Sequence, residues 1–325
     1  MTAPAGPTAV GRWLALAEEL LGEAAPRLNA LNLFPVPDAD TGSNMHATLA
    51  VARRAAEGAA GEQDPGELLG VAGRAALDAA RGNSGTLLAV ALAAMAEPLR
   101  GARDLTTPDL ARAFVAADQA ARSALSDPCE GTILSVLTAA AASLSAAGAA
   151  PDLTAATAAM VAAARRAVEA SEGQLAALAD ARVVDAGAVG MLWVLEALRA
   201  AVTGTDVDAA IAGALHGYAE GPERAGRVGA EGGPTGEPGV EVMCTLALAP
   251  LDAAGVRQAL EAVGDAVILA PLSRTLDAAG RVAWRVHVHV PRAEDALAAL
   301  TAAGEPEGVD VTDLDAPEHD GRHAH

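Results

Sequence analysis

The chemistry of this chain starts in one segment, Asn29–Ala30–Leu31–Asn32–Leu33–Phe34–Pro35–Val36–Pro37–Asp38–Ala39–Asp40–Thr41–Gly42–Ser43–Asn44. Pro35 and Pro37 hold the backbone ahead of Asp38 extended. In a non-helical stretch Asp38 and Asp40, two apart, fall on the same side. Hard oxygen donors packed this way suit Mg²⁺, which takes one or two carboxylates and completes its shell with phosphate oxygens and water. Thr41, Gly42, Ser43 and Asn44 then open a helix whose free backbone N–H groups would hold a phosphate. The plainer alternative is that Asp40 or Thr41 only caps that helix.

Three more polar helix starts follow. They are Arg81–Gly82–Asn83–Ser84–Gly85–Thr86, Cys129–Glu130–Gly131–Thr132 and Val183–Val184–Asp185–Ala186–Gly187. Taken singly, each reads as ordinary helix–helix turn or cap. Together, in one helical region, they would converge at one end of a bundle. A separate group is Cys244 with His287–Val288–His289. On a strand the two histidines share a face, and Cys244 on a neighbouring strand would complete a tetrahedral zinc site. The alternative is a buried free cysteine and two unrelated histidines.

The elements that must position these residues fall into two kinds. Periodic Leu, Ala and Val segments predict helices over 9–30, 44–58, 65–80, 84–98, 108–125, 131–147, 152–170 and 186–203. Thr107 as cap with Pro108 at the first helical position and Asp109 in the first turn marks the fifth start. Residues 217–239, dense in Gly, Pro and Glu, read as a flexible linker. Beyond it the pattern changes to strand 240–248, helix 252–263, strands 266–270 and 282–290, helix 293–303 and strand 309–314. The order βαββαβ is that of a small ferredoxin-like α/β unit. The expected organisation is a mainly α chain: a helical unit over 1–216, the linker, an α/β unit over 240–315 with the zinc site, and a disordered tail over 316–325 that carries His319, His323 and His325.

Composition narrows the chemistry. The chain has 325 residues, 52% of them hydrophobic but only 2% aromatic, which favours helix and is enough for about two domains. All 22 basic residues are Arg, so Lys-dependent phosphate loops, protein-kinase sites and Schiff-base mechanisms are excluded. A net charge of −20 argues against nucleic acid and anionic membrane surfaces as partners. The two cysteines form no disulfide framework and suggest a reducing, cytoplasmic compartment. Met1–Arg12 lacks a basic region followed by an apolar stretch, so no secretory leader is expected. The uncharged run Gly131–Pro151 is mostly Ala, Ser and Thr, and reads as a bundle helix rather than a membrane span.

The quoted segments resemble one known family. Leu31–Met45, with LNLFPVPDADTGSNM, Ala79–Leu88, with AARGNSGTLL, Cys129–Leu137, with CEGTILSVL, and Val183–Gly190, with VVDAGAVG, are similar in wording and order to the nucleotide-binding L-type domain of dihydroxyacetone kinases, and more closely to the N-terminal domain of bacterial fatty acid kinases. The resemblance covers about residues 8–205 and implies an antiparallel eight-helix barrel with ATP and Mg²⁺ at one end. It makes Asp38 and Asp40 the Mg²⁺ ligands, with Asn32 standing near a third. Thr41, Gly42, Ser43, Asn44, Asn83, Ser84 and Gly85 would meet the phosphates, and Thr132, Asp185 and Gly187 would line the nucleotide. Ala39 and Ala188 stand where the family has Gly.

Met243–Cys244–Thr245 and Arg285–His289 resemble the family's middle domain, which strengthens the expectation of Zn²⁺ on Cys244, His287 and His289. The family also carries a further C-terminal domain, expected here to be absent or supplied by another chain. The implied activity is an ATP- and Mg-dependent phosphotransferase acting on a fatty acid carboxylate presented by an acyl-binding partner, with homodimerisation as a further expectation. The alternatives are the ATP-binding subunit of a glycerone-type kinase, or a nucleotide-binding regulatory module without turnover. Mg²⁺-assisted phosphoryl transfer needs positioning and charge neutralisation rather than Lys, so the missing Lys is compatible with it.

Overall fold

The computed structural model describes residues 6–314 apart from 60, 63, 149–151, 220–238 and 274. Most of the expected linker and all of the expected tail lie outside the described residues. Long helices make the first part: α1 (Gly6–Leu31), α2 (Thr41–Gly58), α3 (Pro65–Ala79), α4 (Gly82–Leu99), α5 (Thr107–Ala124), α6 (Ile133–Ala147), α7 (Leu153–Ser171) and α9 (Ala186–Thr203). A short α8 (Ala176–Ala181), not expected from the sequence, precedes α9. Six residues give too little hydrophobic periodicity to be seen.

Local chemistry sets the helix starts. Thr106, one residue earlier than expected, caps α5 by accepting from the Asp109 amide, and Asp109 accepts from the Thr106 amide in return at 3.0 Å. Asp64 accepts from the amides of Gly66 and Glu67 to start α3, with Pro65 in its first turn.

Each long helix packs on the next, and α9 packs on α1, so the eight close into a ring. The interior is built from Ala and Leu with a few large residues, Trp13 and Phe114 among them. Trp13 donates its indole N–H to the Val194 carbonyl at 2.9 Å, which satisfies a polar atom inside that core. Helix α9 is long and apolar enough to cross a membrane by composition, but 89% of it is buried in the barrel.

The second part is β1 (Val240–Leu248), α10 (Asp252–Glu261), β2 (Asp265–Pro271), β3 (Val282–Val290), α11 (Ala293–Ala303) and β4 (Glu307–Asp313). The sheet is antiparallel in the order β2-β3-β1-β4, the ferredoxin-like arrangement expected from the element order. Its two faces have different partners. Val242, Cys244, Leu246, Val286 and Val288 pack with Val256, Leu260, Ala296 and Leu300 of α10 and α11. On the other face Ile268 and Ala270 join the core of the helical barrel.

Hydrogen bonds join the two parts at several points. The Ser126 amide donates to the Val267 carbonyl at 3.1 Å, Arg257 to the Ser123 carbonyl at 2.9 Å, and the Gly82 amide to Glu241 Oε1 at 3.1 Å.

Candidate functional site

The loop from Asn32 to Asp40 enters the site at the N-terminus of α2. Asn32 is buried, and its amide is spent on its neighbours: Nδ2 donates to Asp38, and Oδ1 accepts from Thr41 Oγ1 at 2.9 Å. Asn32 therefore positions Asp38 and Thr41. Burial and the neighbouring Asp40 push the Asp38 carboxyl up to about 8. Asp40 is raised too, first by burial, although hydrogen bonds from Asp38 and Asn44 offset part of the shift. Two carboxyls that resist ionising side by side are held where a bound cation would relieve both. Ala39 between them has φ +58°, the left-handed region that a Cβ disfavours.

The expectation that the α2 N-terminus holds a phosphate meets a correction. Asn29, which opens the segment but has no role expected from sequence, accepts from the Gly42 amide at 2.7 Å and the Ser43 amide at 3.1 Å, and donates to Ser43 Oγ at 2.9 Å. The Asn44 amide is bonded to the Asp40 carbonyl at 2.9 Å. Gly42 itself is a packing residue: a Cβ there would lie 2.5 Å from the Ala25 carbonyl oxygen. Two of the other starts are also capped from within, α6 by Thr132 onto the Leu134 amide and α9 by Asp185 onto the Ala188 amide. Helix α4 is different. Its N-cap Arg81 makes no side-chain cap, its first amide, Gly82, donates to Glu241 Oε1 of β1 at 3.1 Å, and buried Asn83 Oδ1 has no hydrogen-bond partner. Of the four starts, α4 is the one whose first amide takes a carboxylate from the α/β part.

Two concavities meet there. A cleft is lined by Asn32, Asp38, Asp40, Thr41, Asn83, Ser84 and His289. A cavity of about 620 Å³ is lined by Phe34, Asn83, Ser84, Leu87, Thr132, Ile133, Asp185 and Gly187, and on its far side by Asp265, Ala266 and Val267. Asn83 and Ser84 belong to both. Of the residues expected from sequence, Thr41, Asn83, Ser84, Thr132, Asp185 and Gly187 are thus brought to these walls with Asp38 and Asp40. Gly42, Ser43, Asn44 and Gly85 are not; Gly85 packs beneath Thr48, where a Cβ would lie 2.7 Å from its Oγ1. Asp185 is fully buried, and that burial raises its carboxyl to about 7 despite hydrogen bonds from the Ala188 and Gly187 amides.

The expected zinc set is corrected as well. In the β1–β3 register Cys244 lies opposite Val286, whereas His287 lies opposite Met243 and His289 opposite Glu241. Cys244 therefore points into the α/β core, and the histidines point to the barrel. Burial raises the Cys244 thiol to about 11.

What meets the histidines instead is Glu241. Glu241, His287 and His289 are buried, with one ligand atom from each lying within 4.8 Å of the others. His287 Nδ1 is 3.1 Å from Glu241 Oε1 but out of hydrogen-bond alignment, and both ring nitrogens of His287 and Nδ1 of His289 lack a hydrogen-bond partner. Burial and then His287 lower His289 to about 3, so it is a neutral imidazole with a free lone pair. Burial works to raise Glu241, but His287, His289 and the Gly82 amide hold it below the usual range. One carboxylate and two imidazoles with unfilled nitrogens fit a divalent ion. Glu241 and His287 also lie close enough to Asp40 to act on its charge.

Comparison with known proteins adds the following. The sequence profile of the DAK2 domain matches residues 35–200. That of the FakA-like fatty acid kinase middle domain matches residues 237–320. An uncharacterized protein of Staphylococcus epidermidis is 33% identical over 190 residues, which cover 58% of this chain and 34% of the relative. An uncharacterized protein of Staphylococcus aureus strain USA300 is 33% identical over 193 residues, covering 59% and 35%. The chain thus spans about a third of the length of the curated relatives it matches.

Proposed function

The chain belongs to the DAK2 domain family and carries a FakA-like fatty acid kinase middle domain, and from that premise we propose that it is the nucleotide-binding subunit of a Mg-ATP-dependent phosphotransferase. The acceptor in this reading is a fatty acid carboxylate presented by an acyl-binding protein. The observation that carries it is that the cleft and the cavity share Asn83 and Ser84 in the first turn of α4. A nucleotide lying along that path has its phosphates at the α4 amides and beside Asp38 and Asp40.

The roles of the residues follow from their surroundings. Asp38 and Asp40 hold Mg²⁺; Asn32, Thr41 and Asn44 fix the two carboxylates. Mg²⁺, when bound, supplies neutralisation of the phosphate oxygens. Asn83 and Ser84 orient the phosphates, and Thr132, Asp185 and Gly187 border the nucleoside. Glu241, His287 and His289 hold a second divalent ion, Zn²⁺ by donor type, next to the phosphate end. A carboxylate acceptor is ionised at neutral pH, so no general base is required of the chain. The free state of Cys129 and Cys244 is consistent with a reducing compartment.

The test has two stages. Asp38→Asn and Asp40→Asn are expected to abolish Mg-ADP binding by calorimetry while keeping a helical circular-dichroism spectrum; unchanged affinity in both would remove the metal assignment. A reconstituted assay with Mg-ATP, oleate and acyl-binding proteins from the same source is expected to give acyl phosphate. Product only with dihydroxyacetone and its binding subunit would make the chain a glycerone-type kinase component instead. ATP-binding without turnover in either assay would make it a regulatory module.

A further inference from the structure

We propose that the α/β part forms the outer wall of the nucleotide pocket, so that a bound nucleoside is held between β2 and the loop joining α5 to α6 and ties the two parts of the chain together. The proposal rests on the nucleotide reading above and adds to it where the nucleoside lies and what its binding does. The cavity is not a pocket of the barrel alone. One side comes from α4, α6 and α9; the opposite side comes from Glu261 and the segment Gly264–Val267.

That wall is built by hydrogen bonding as well as by apposition. β2 is an edge strand of the sheet. Leu125 bridges to Ile268 in antiparallel fashion, and the Ser126 amide donates to the Val267 carbonyl at 3.1 Å. The loop after α5 thus runs as a short added strand on the β2 edge, and it carries Asp127 and Cys129 onto the cavity wall. Arg257 of α10 clamps the same junction through the Ser123 carbonyl. Where β2 reaches the cavity its register against β3 shifts between Asp265 and Ile268, and Ala266 sits at φ +51°. A strand that breaks register at a cavity is re-aiming its backbone there.

The chemistry of the two ends differs. The phosphate end offers amides and the Asp38–Asp40 pair. The wall and the loop bonded to it offer the carboxylates of Asp127, Glu261 and Asp265 beside Leu125 and Val267, while Phe34 and Leu87 line the barrel side. Carboxylates accept hydrogen bonds and repel phosphate; apolar side chains cover a flat base. A nucleoside has hydroxyl and amino donors and a flat base, so it suits the wall, and a bare polyphosphate does not. Because this wall exists only while the α/β part is docked, a nucleoside favours the docked arrangement by its differential affinity. Docking is also what puts His289 in the cleft with Asp38 and Asp40.

Hydrogen–deuterium exchange on the full chain tests this, with Mg-ADP and Mg-pyrophosphate as probes. Mg-ADP is expected to slow exchange at the start of α4 and also in 125–129 and 264–268; Mg-pyrophosphate is expected to slow only the first. Protection by Mg-ADP confined to α4 overturns the proposal and leaves the nucleotide reading standing. Protection nowhere overturns both. As a second measurement, Ser126→Pro removes the amide that bonds Val267. It is expected to weaken Mg-ADP by about tenfold and leave Mg-pyrophosphate unchanged. A folded variant with unaltered Mg-ADP affinity overturns the proposal, and if the variant does not fold the exchange experiment on the unaltered chain decides.

Discussion

Asp185 shows how much a single position is asked to do. Its side chain caps α9 through the Ala188 amide, yet it is fully buried at the cavity, where its carboxyl is raised from 3.8 to about 7. Between those values the folded chain keeps a proton that the unfolded chain has lost. Stability from this group is therefore full below about 3.8 and declines as pH rises towards about 7. Asp185→Asn keeps a cap acceptor and cannot ionise. The expected outcome is a flatter dependence of chemical-denaturation stability on pH between 4 and 7, read against the parent chain; an unchanged slope would assign that dependence elsewhere. Ala39, at φ +58° between the two aspartates, is the other single-residue case. Ala39→Gly relieves a left-handed alanine, which costs about 1–2 kcal/mol, at the expense of some unfolded-state entropy. A net gain of about 0.5 kcal/mol or more in stability, read from the denaturation midpoint, is expected.

At the scale of elements, the α1–α2 crossing holds the metal loop in place. Gly42 lets the two helices touch, since a Cβ would sit 2.5 Å from the Ala25 carbonyl oxygen and 2.7 Å from its Cα. Neither is a side-chain end that can swing aside. Gly42→Ala is expected to cost about 1–3 kcal/mol by urea denaturation, as overpacking does. Asn29 works at the same crossing by taking the amides of Gly42 and Ser43. Asn29→Ala leaves two N–H groups at a buried helix start without their acceptor and is expected to cost about 1–2 kcal/mol. It should also weaken Mg-ADP binding, because α2 carries Thr41 and Asn44, which hold the Asn32, Asp38 and Asp40 cluster. A destabilised variant with full Mg-ADP affinity would separate the crossing from the site.

For the whole molecule, β1, β2 and β3 are packed between α10 and α11 on one side and the barrel on the other, while β4 is exposed along its length. Glu241 bonds the Gly82 amide, and Arg285 the Ala80 carbonyl at 3.4 Å, so the sheet reaches the start of α4 directly. This arrangement changes which substitutions should affect a second metal. Zinc added to the full chain is expected to bind near one equivalent. Binding should survive Cys244→Ser and be lost in His287→Ala combined with His289→Ala, with Glu241→Gln weakening it. Elemental analysis after desalting measures each; loss of the metal in Cys244→Ser alone would contradict the strand register that turns this thiol inward.

The eight long helices, their order and the ferredoxin-like order of the second part were readable from the chain alone, because each is set by local periodicity and by punctuation such as Pro108–Asp109. The placement of Asp38 and Asp40 in one loop and of Asn83 and Ser84 in the first turn of a helix was readable for a related reason: a proline-fixed pair of carboxylates and a polar helix start are local patterns. Partner choice was not readable. The sequence shows four polar helix starts, and only the fold shows that Asn29, Thr132 and Asp185 satisfy three of them from within the barrel, while Glu241 of the α/β part takes the first amide of α4. Nor does the sequence say which of Glu241 and Cys244 faces His287 and His289. They are three residues apart on one strand and so lie on opposite faces, and a slip of one residue in pairing would exchange them. The β1–β3 register decides it, because it puts Cys244 with the valines that α10 and α11 cover and turns the charged and imidazole side chains to the barrel. Register is a long-range property, set by which face of the sheet each layer can bury, and no local stretch of this chain encodes it.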